Sequence, residues 1–330
     1  MIRIIAEIGS VHDGSLGNAI NLIKEVGRCG AWGVKFQHHI ASEETTRDAP
    51  SPSYFNAEGR YKYFERTHFS RAEWNNLYSE SNANGLKFIV SPFSIASLRE
   101  IIETGVDYIK IASGEITNIP LLTEARRAGK KVIMSSGMSS INELEQAAKA
   151  LGESLEVLMQ CTSEYPCKPQ NVGLNNVARL SKIGKCKRGF SDHTMGNVAS
   201  ILSLAYGAEY IEKHVTFSRR MYGSDAKHSM EIDEFIVFIE QLNEAYQIIN
   251  SSVDKNEMCE SLNEMKKTFE KSIVYKKDCD KGHILLESDL GLKKPGGGLE
   301  PSSLKSVIGK TLLRSVKYDN KVSSQDLALE

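Results

Sequence analysis

Lys35 and Lys110 each interrupt a short apolar run, Val34-Lys35-Phe36-Gln37 and Tyr108-Ile109-Lys110-Ile111. An ammonium in such a place needs a partner. Carboxylates occur in two similar runs, at Glu7 and Glu212, and hydroxyls end or follow others, at Ser91, Ser113, Ser135, Ser163 and Ser191. Two ammoniums among hydroxyls make an anion site for phosphate or carboxylate. Ser135-Ser136-Gly137-Met138, just ahead of a helical pattern, adds backbone donors of the kind that hold phosphate at helix N-termini. His193 and His214 close two consecutive runs and are placed to share a divalent metal. His12, His38, His39, His68 and His283 carry weaker signals, and His228 is open between a loop histidine and a substrate contact. Each group alone also fits a plain role: Glu7 and Glu212 as interior carboxylates paired with Lys35 or Lys110, a histidine as a packed ring. Eight such ends on one face point to a common site.

The elements that must carry these groups are legible. Eight strand candidates, Arg3–Glu7, Gly33–Gln37, Lys87–Ser91, Tyr108–Ala112, Lys131–Ser135, Leu155–Gln160, Arg188–Ser191 and Tyr210–His214, are rich in Val, Ile and Leu and too short for buried helices. Helix-period stripes lie between them, at Leu16, Ala19, Ile20, Ile23 and Val26, from Leu98 through Ile101 and Ile102, and from Ile232 to Tyr246. Ser139 or Ser140 suits an N-cap, and Gly105, Gly129 and Gly207 suit C-caps. Eight β-then-α units in about 250 residues are what a closed (β/α)8 TIM barrel requires, with catalytic groups at the C-terminal ends of the strands. An open doubly wound sheet is the alternative, but Gly9-Ser10-Val11-His12-Asp13-Gly14 is not its Gly-rich phosphate turn. The expected organisation is a barrel over 1–250, a polar linker over 251–268 and a small β-rich domain over 269–330. That domain's expected β segments are Ser272–Tyr275, Ile284–Leu286, Leu290–Lys293 and Leu312–Ser315.

Composition removes several function classes. Among 330 residues, 41 Lys+Arg face 42 Asp+Glu, which argues against a nucleic-acid or acidic-membrane partner held by bulk charge. No run approaches the roughly 18 apolar residues of a membrane span, and the N-terminus reads as a strand rather than a signal peptide. Six cysteines without C-x-x-C spacing read as free thiols of a cytoplasmic protein.

The motifs in their order resemble the sialic acid synthase family over essentially the whole chain. They are Ala6-Glu7-Ile8-Gly9 with His12-Asp13-Gly14, Val34-Lys35-Phe36-Gln37, Ser91-Pro92-Phe93-Ser94, Lys110-Ile111-Ala112-Ser113-Gly114-Glu115, Ser135-Ser136-Gly137-Met138, Cys161-Thr162-Ser163-Glu164-Tyr165-Pro166, Gly189-Phe190-Ser191-Asp192-His193-Thr194 and Glu212-Lys213-His214. The C-terminal segment, with Lys293-Lys294-Pro295-Gly296-Gly297-Gly298, resembles the antifreeze-like SAF domain of these enzymes.

The resemblance implies condensation of phosphoenolpyruvate with an N-acylated amino sugar, such as N-acetylmannosamine, to a nine-carbon 2-keto-3-deoxy acid and phosphate. It places Lys35, Ser91, Lys110, Ser113, Ser135, Ser163 and Ser191 around phosphoenolpyruvate. It puts His193 and His214 on manganese or magnesium. Gln37, Tyr165, Asp225, Asp13 and Lys294 fall on the sugar side, and Glu115 and Asp13 are the catalytic carboxylates. It also implies a domain-swapped homodimer. The chain departs from the family mainly toward the sugar, with Asp13 in the first loop and Lys294 where arginine is common; lysine lacks the planar fork of arginine. The competing readings are another TIM-barrel aldolase or shorter-sugar synthase, in which a strand lysine can serve as a Schiff-base nucleophile, and a non-catalytic sugar-binding protein.

Overall fold

The computed structural model describes residues 2–51, 58–180 and 182–328. Eight parallel strands close on themselves: β1 (Arg3–Gly9), β2 (Gly33–His38), β3 (Lys87–Pro92), β4 (Tyr108–Ile111), β5 (Lys131–Ser135), β6 (Leu155–Cys161), β7 (Lys187–Asp192) and β8 (Tyr210–Thr216). Each pairs with its sequence neighbour, and β1 pairs with β8 to close the barrel. All eight expected strands are present, most with bounds moved by one or two residues, and they form the closed barrel rather than the doubly wound sheet.

The helices follow in turn. They are α1 (Leu16–Arg28) after β1, α2 (Ala41–Glu44), α3 (Arg60–Thr67) and α4 (Arg71–Ala83) after β2, α5 (Ile95–Thr104) after β3, α6 (Ile119–Arg127) after β4, α7 (Ile141–Leu151) after β5, α8 (Asn175–Leu180) after β6, α9 (Val198–Ala205) after β7 and α10 (Ile232–Asn250) after β8. The stripe in α1 buries Ala19, Leu22, Ile23 and Val26. Ser140, rather than Ser139, caps α7 by accepting from the Glu143 N–H, and Glu143 answers at the Ser140 backbone. Gly105 ends α5 in the left-handed conformation, φ 98°.

What positions the site is the period of two along each strand. Ile5, Ile89, Tyr108, Ile133, Met159 and Tyr210 belong to one buried cluster that also holds Val157. Two residues farther along the same six strands stand Glu7, Ser91, Lys110, Ser135, Cys161 and Glu212, all lining a single cavity. The apolar layer thus changes to a polar one in one step around the barrel, at the C-terminal ends of the strands. Register then sets neighbours side by side: Glu7 beside Lys35 and His214, and Ser191 beside Cys161 and Glu212.

The chain divides into two compact units, Met1–Asn250 and Ser251–Glu330. In the second, residues 251–268, expected as a linker, carry two short helices, α11 (Lys255–Ser261) and α12 (Asn263–Phe269). β9 (Ser272–Tyr275) pairs antiparallel with β10 (Leu290–Lys293), and isolated bridges join Ile284 to Thr311 and Leu312 to Leu327. Its core gathers Ile273, Tyr275, Leu285, Leu290, Leu312 and Val322. No described helix is long and apolar enough to cross a membrane.

Every residue of the barrel's two large apolar clusters lies at or before position 246. A chain ended after Asn250 is therefore expected to keep one cooperative thermal transition with barrel-like circular dichroism. A broad, non-cooperative melt would show that the barrel needs residues 251–330 to fold.

Candidate active site

A cavity of about 590 Å³ opens at the C-terminal ends of the strands. Its floor holds four buried charges. Lys35 Nζ lies 2.8 Å from Glu7 Oε2 and 3.7 Å from Glu212 Oε1. Lys110 Nζ lies 3.4 Å from Glu212 Oε1 and donates to Ser135 Oγ at 2.7 Å. Ser191 Oγ donates to Glu212 Oε1 at 3.1 Å, and Lys35 Nζ reaches Ser91 Oγ at 3.5 Å. Burial alone would raise the Glu212 carboxyl, but Lys110 and Lys35 outweigh it and hold it down to about 2. The same burial lowers Lys110, with Glu212 offsetting only part. Glu7 is raised by burial, and the Glu212 charge adds to this against the pull of Lys35. Formal charges on the floor cancel, so an anion there meets local donors rather than a net positive field.

Ser113 and Ser163 complete the hydroxyl set from the loops after β4 and β6. They crowd against Gly137, where a Cβ would overlap Ser163 Oγ and approach Ser113 Oγ to 2.6 Å. Only glycine lets the loop after β5 come this close. Glu115 lies in a single 3-10 turn after β4 and accepts from Asn118 Nδ2 at 2.8 Å. Burial raises its carboxyl, which makes it a stronger proton acceptor than an ordinary carboxylate.

His193 and His214 meet with ring centroids 5.6 Å apart, and Tyr165 packs on both at 4.1 and 6.1 Å. His193 Nδ1 is bonded to the Thr162 carbonyl at 2.8 Å, which leaves Nε2 for a ligand. A backbone carbonyl on the far nitrogen is the usual support of a metal-binding histidine. Burial pushes His214 down to about 4, leaving the neutral form that ligates. His214 Nδ1 and Glu212 Oε2 are buried without a hydrogen-bond partner among the described residues. Burial would lower His193 as well, but Cys161 and the Thr162 carbonyl outweigh it and raise that ring; the two imidazoles beside an orphaned carboxylate oxygen fit a divalent cation. In the second unit Cys279, His283 and Asp289 also lie within 4.8 Å of one another. There Asp289 already accepts from His283 and from the Lys277 ammonium, both at 2.7 Å, and that ammonium competes with any cation.

The structure thus gathers Lys35, Ser91, Lys110, Ser113, Ser135, Ser163, Ser191, Glu115, Gln37, Tyr165, Asp225, His193 and His214 at one cavity. Asp13 is not among them. The turn after β1 gives it φ 51° and sends its carboxylate to Arg66, 2.7 Å away. The carboxylate that β1 does supply is Glu7. Lys294 belongs to the second unit, with its ammonium 5.0 Å from the centroid of the Phe269 ring. His228 lines the cavity, as do His39, Arg60, Phe64 and Cys161, which the motifs did not single out as site residues. For Cys161 a signal existed, since it stands two residues beyond the interior Met159. For Arg60 there was none.

Because the floor charges neutralise one another, Lys35→Met is expected to lower stability by about 3–5 kcal/mol by stranding Glu7. Glu7→Gln in that background should return part of the loss. Urea denaturation decides, and an unchanged midpoint for Lys35→Met would show that the pair contributes nothing.

Comparison with known proteins agrees with this geometry. Residues 22–254 match the NeuB family and residues 270–327 the SAF domain. The chain is 32% identical to an N,N'-diacetyllegionaminic acid synthase of Campylobacter jejuni, covering 97% of this chain and 98% of that one. It is 28% identical to the human N-acetylneuraminate-9-phosphate synthase, covering 98% and 91%. Among solved structures, an N-acetylneuraminic acid (sialic acid) synthetase from Leptospira borgpetersenii serovar Hardjo-bovis superposes with a TM-score of 0.70 at 28% identity, over 81% of this chain and 93% of that one. A closed barrel with this floor, matched along nearly its whole length by such relatives, leaves one assignment: the chain belongs to the NeuB family and carries a SAF domain at its C-terminal end.

Proposed function

We propose that the chain condenses phosphoenolpyruvate with the open-chain aldehyde of an N-acylated amino sugar, giving a nine-carbon 2-keto-3-deoxy acid and phosphate. Membership of a family whose named members are sialic, legionaminic and pseudaminic acid synthases makes it a phosphoenolpyruvate-dependent, C–C bond-forming transferase. The observation that carries the proposal is the floor, where Lys35 and Lys110 lie with serine hydroxyls from five strand ends beneath one cavity.

C3 of phosphoenolpyruvate attacks the aldehyde carbon, and the aldehyde oxygen takes up a proton. Positive charge develops at C2 and is captured by water. Glu115, with its raised carboxyl, accepts the proton that water loses. The C2–O bond to phosphate then breaks as the new C2 hydroxyl passes its proton to the departing phosphate and becomes the keto group. Lys35, Lys110 and the serines hold phosphate and carboxylate throughout, as charge-assisted contacts fixed in advance. His193 and His214 would hold a divalent ion, manganese or magnesium, which supplies Lewis-acid polarisation of the aldehyde oxygen. Gln37, Tyr165 and Asp225 face the sugar. A homodimer and a sugar-side role for Lys294 belong to the same proposal. So does a cytoplasmic location, supported by six unpaired cysteines.

Phosphate release from phosphoenolpyruvate is the test, run against a panel of N-acetylmannosamine and diacetamido-trideoxyhexoses. Turnover with one of these sugars, lost in chelator and in His193→Ala or His214→Ala, is expected. Phosphate release that no sugar stimulates would overturn the proposal. Lys110→Met should weaken phosphoenolpyruvate use by about 1.5–3 kcal/mol, as read from its kcat/KM. Borohydride with pyruvate should leave the protein mass unchanged; an adduct on Lys110 or Lys35 would favour a Schiff-base aldolase.

A further inference from the structure

His39 follows β2 at the wall of the cavity, and it is held on every side. Its ring lies between two phenyl faces, Phe64 at 3.7 Å and 6° and Phe93 at 4.2 Å and 18° between planes. Stacking on both faces fixes the ring plane and leaves only its edge to make polar contacts. At that edge Nδ1 meets both oxygens of Glu44, at 2.9 and 3.0 Å, and Nε2 meets Gln37 Oε1 at 3.2 Å. The Glu44 side chain is itself only 3% exposed. Gln37 Nε2 in turn donates to Glu7 Oε1 at 2.7 Å, and Glu7 Oε2 meets Lys35 at 2.8 Å. One line of contacts therefore runs from Glu44 through His39, Gln37 and Glu7 to Lys35.

The direction of this line follows from what each group can do. Glu7 accepts from the Lys35 ammonium on one oxygen and from the Gln37 nitrogen on the other. The Gln37 oxygen must then face His39, and because the Glu44 oxygens and this amide oxygen all accept, the line requires a hydrogen on both ring nitrogens, with Glu44 balancing the charge. The second N–H of Gln37 has no partner among the described residues, and Gln37 lines the cavity. Asp225 is brought to the same spot. A Cβ on Gly9 would lie 2.5 Å from Asp225 Oδ2, 3.3 Å from Gln37 Nε2 and 3.4 Å from Glu7 Oε1. A free glutamine amide could turn over and offer its oxygen instead; with His39 in place the donor is fixed.

We propose that His39 is a positioning residue, set on edge between Phe64 and Phe93 and anchored by Glu44, which locks the Gln37 amide so that an N–H faces the acceptor sugar. This rests on the acceptor role given to Gln37 above and names what enforces it. A hydroxyl or acyl oxygen at that point of the sugar meets a donor; a substituent that can only donate does not.

Three variants and two readouts test it. His39→Phe keeps an aromatic ring in the stack and removes both polar contacts. His39→Gln restores a donor toward Gln37. Gln37→Ala assigns the Gln37 signal and completes a double-mutant cycle. In kinetics on whichever panel sugar turns over, His39→Phe should raise the acceptor KM at least tenfold and leave the phosphoenolpyruvate KM within twofold, and His39→Gln should recover most of the loss. Adding Gln37→Ala to His39→Phe should cost nothing further, since the two act as one unit. The second readout needs no substrate: the side-chain amide signals of Gln37 in a 15N NMR spectrum should shift and broaden in His39→Phe and hold in His39→Gln. Additive losses, a parallel rise in both Michaelis constants, or an unmoved Gln37 signal would reduce His39 to a packing residue. If the parent enzyme turns over no sugar, the proposed reaction falls, and the Gln37 signal still decides the case for His39.

Discussion

Four charges that cannot stand alone hold this structure to its form. Glu7, Lys35, Lys110 and Glu212 are each 4% exposed or less, and each is tolerable there only because the others lie within ion-pair reach. That requirement fixes strand register. A slip of one residue in β1 would turn Glu7 out and Ala6 in, leaving Lys35 without its 2.8 Å partner. The charges that serve the chemistry and the closure of the barrel are thus one constraint. A strand can drift only if its partners across the floor drift with it.

Under the proposed reaction, the floor would also let one barrel end treat two substrates differently. Its centre is rigid and internally paired, suited to a small anion of fixed shape. Toward Gln37, Tyr165, Asp225 and His228 the lining comes from loops and from the edge of β2. Loops accept change more readily than strands. A family can keep one reaction and vary the acceptor by altering this side alone, in keeping with relatives named for different nine-carbon acids at similar identity.

The strands were legible because parallel strands buried on both faces are written as unbroken apolar runs. The cavity residues were legible because a lysine or serine inside or at the end of an apolar run breaks that pattern. Loops offered no such reference. Asp13 was expected at the site on the strength of its motif, yet the turn after β1 aims it at Arg66, and nothing in its neighbours' types reveals which way a left-handed turn will face. Residues 251–268 were taken for linker because they are polar overall. Met258, Leu262, Met265 and Phe269 nevertheless recur at helical spacing, one to a turn and all exposed, a stripe too thin to stand out from its charged surroundings. The plain alternative for Glu7 and Glu212, interior carboxylates paired with the lysines, is what the floor shows. That pairing and a place in the cavity go together rather than competing.

The run Glu212-Lys213-His214 places alternate residues on opposite faces of β8. Glu212 and His214 face the cavity, whereas Lys213 is 2% exposed behind the barrel wall. Its ammonium grips Asp192 at 3.0 Å and the carbonyls of Thr194 and Gly196 at 2.6 and 2.8 Å, tying down the loop that carries His193. In a saturation screen scored by growth or product, all three codons of this run would look equally intolerant, and a map of intolerance would draw Lys213 into the active site. A screen scored by abundance would separate it from His214, because Lys213 owes its intolerance to folding.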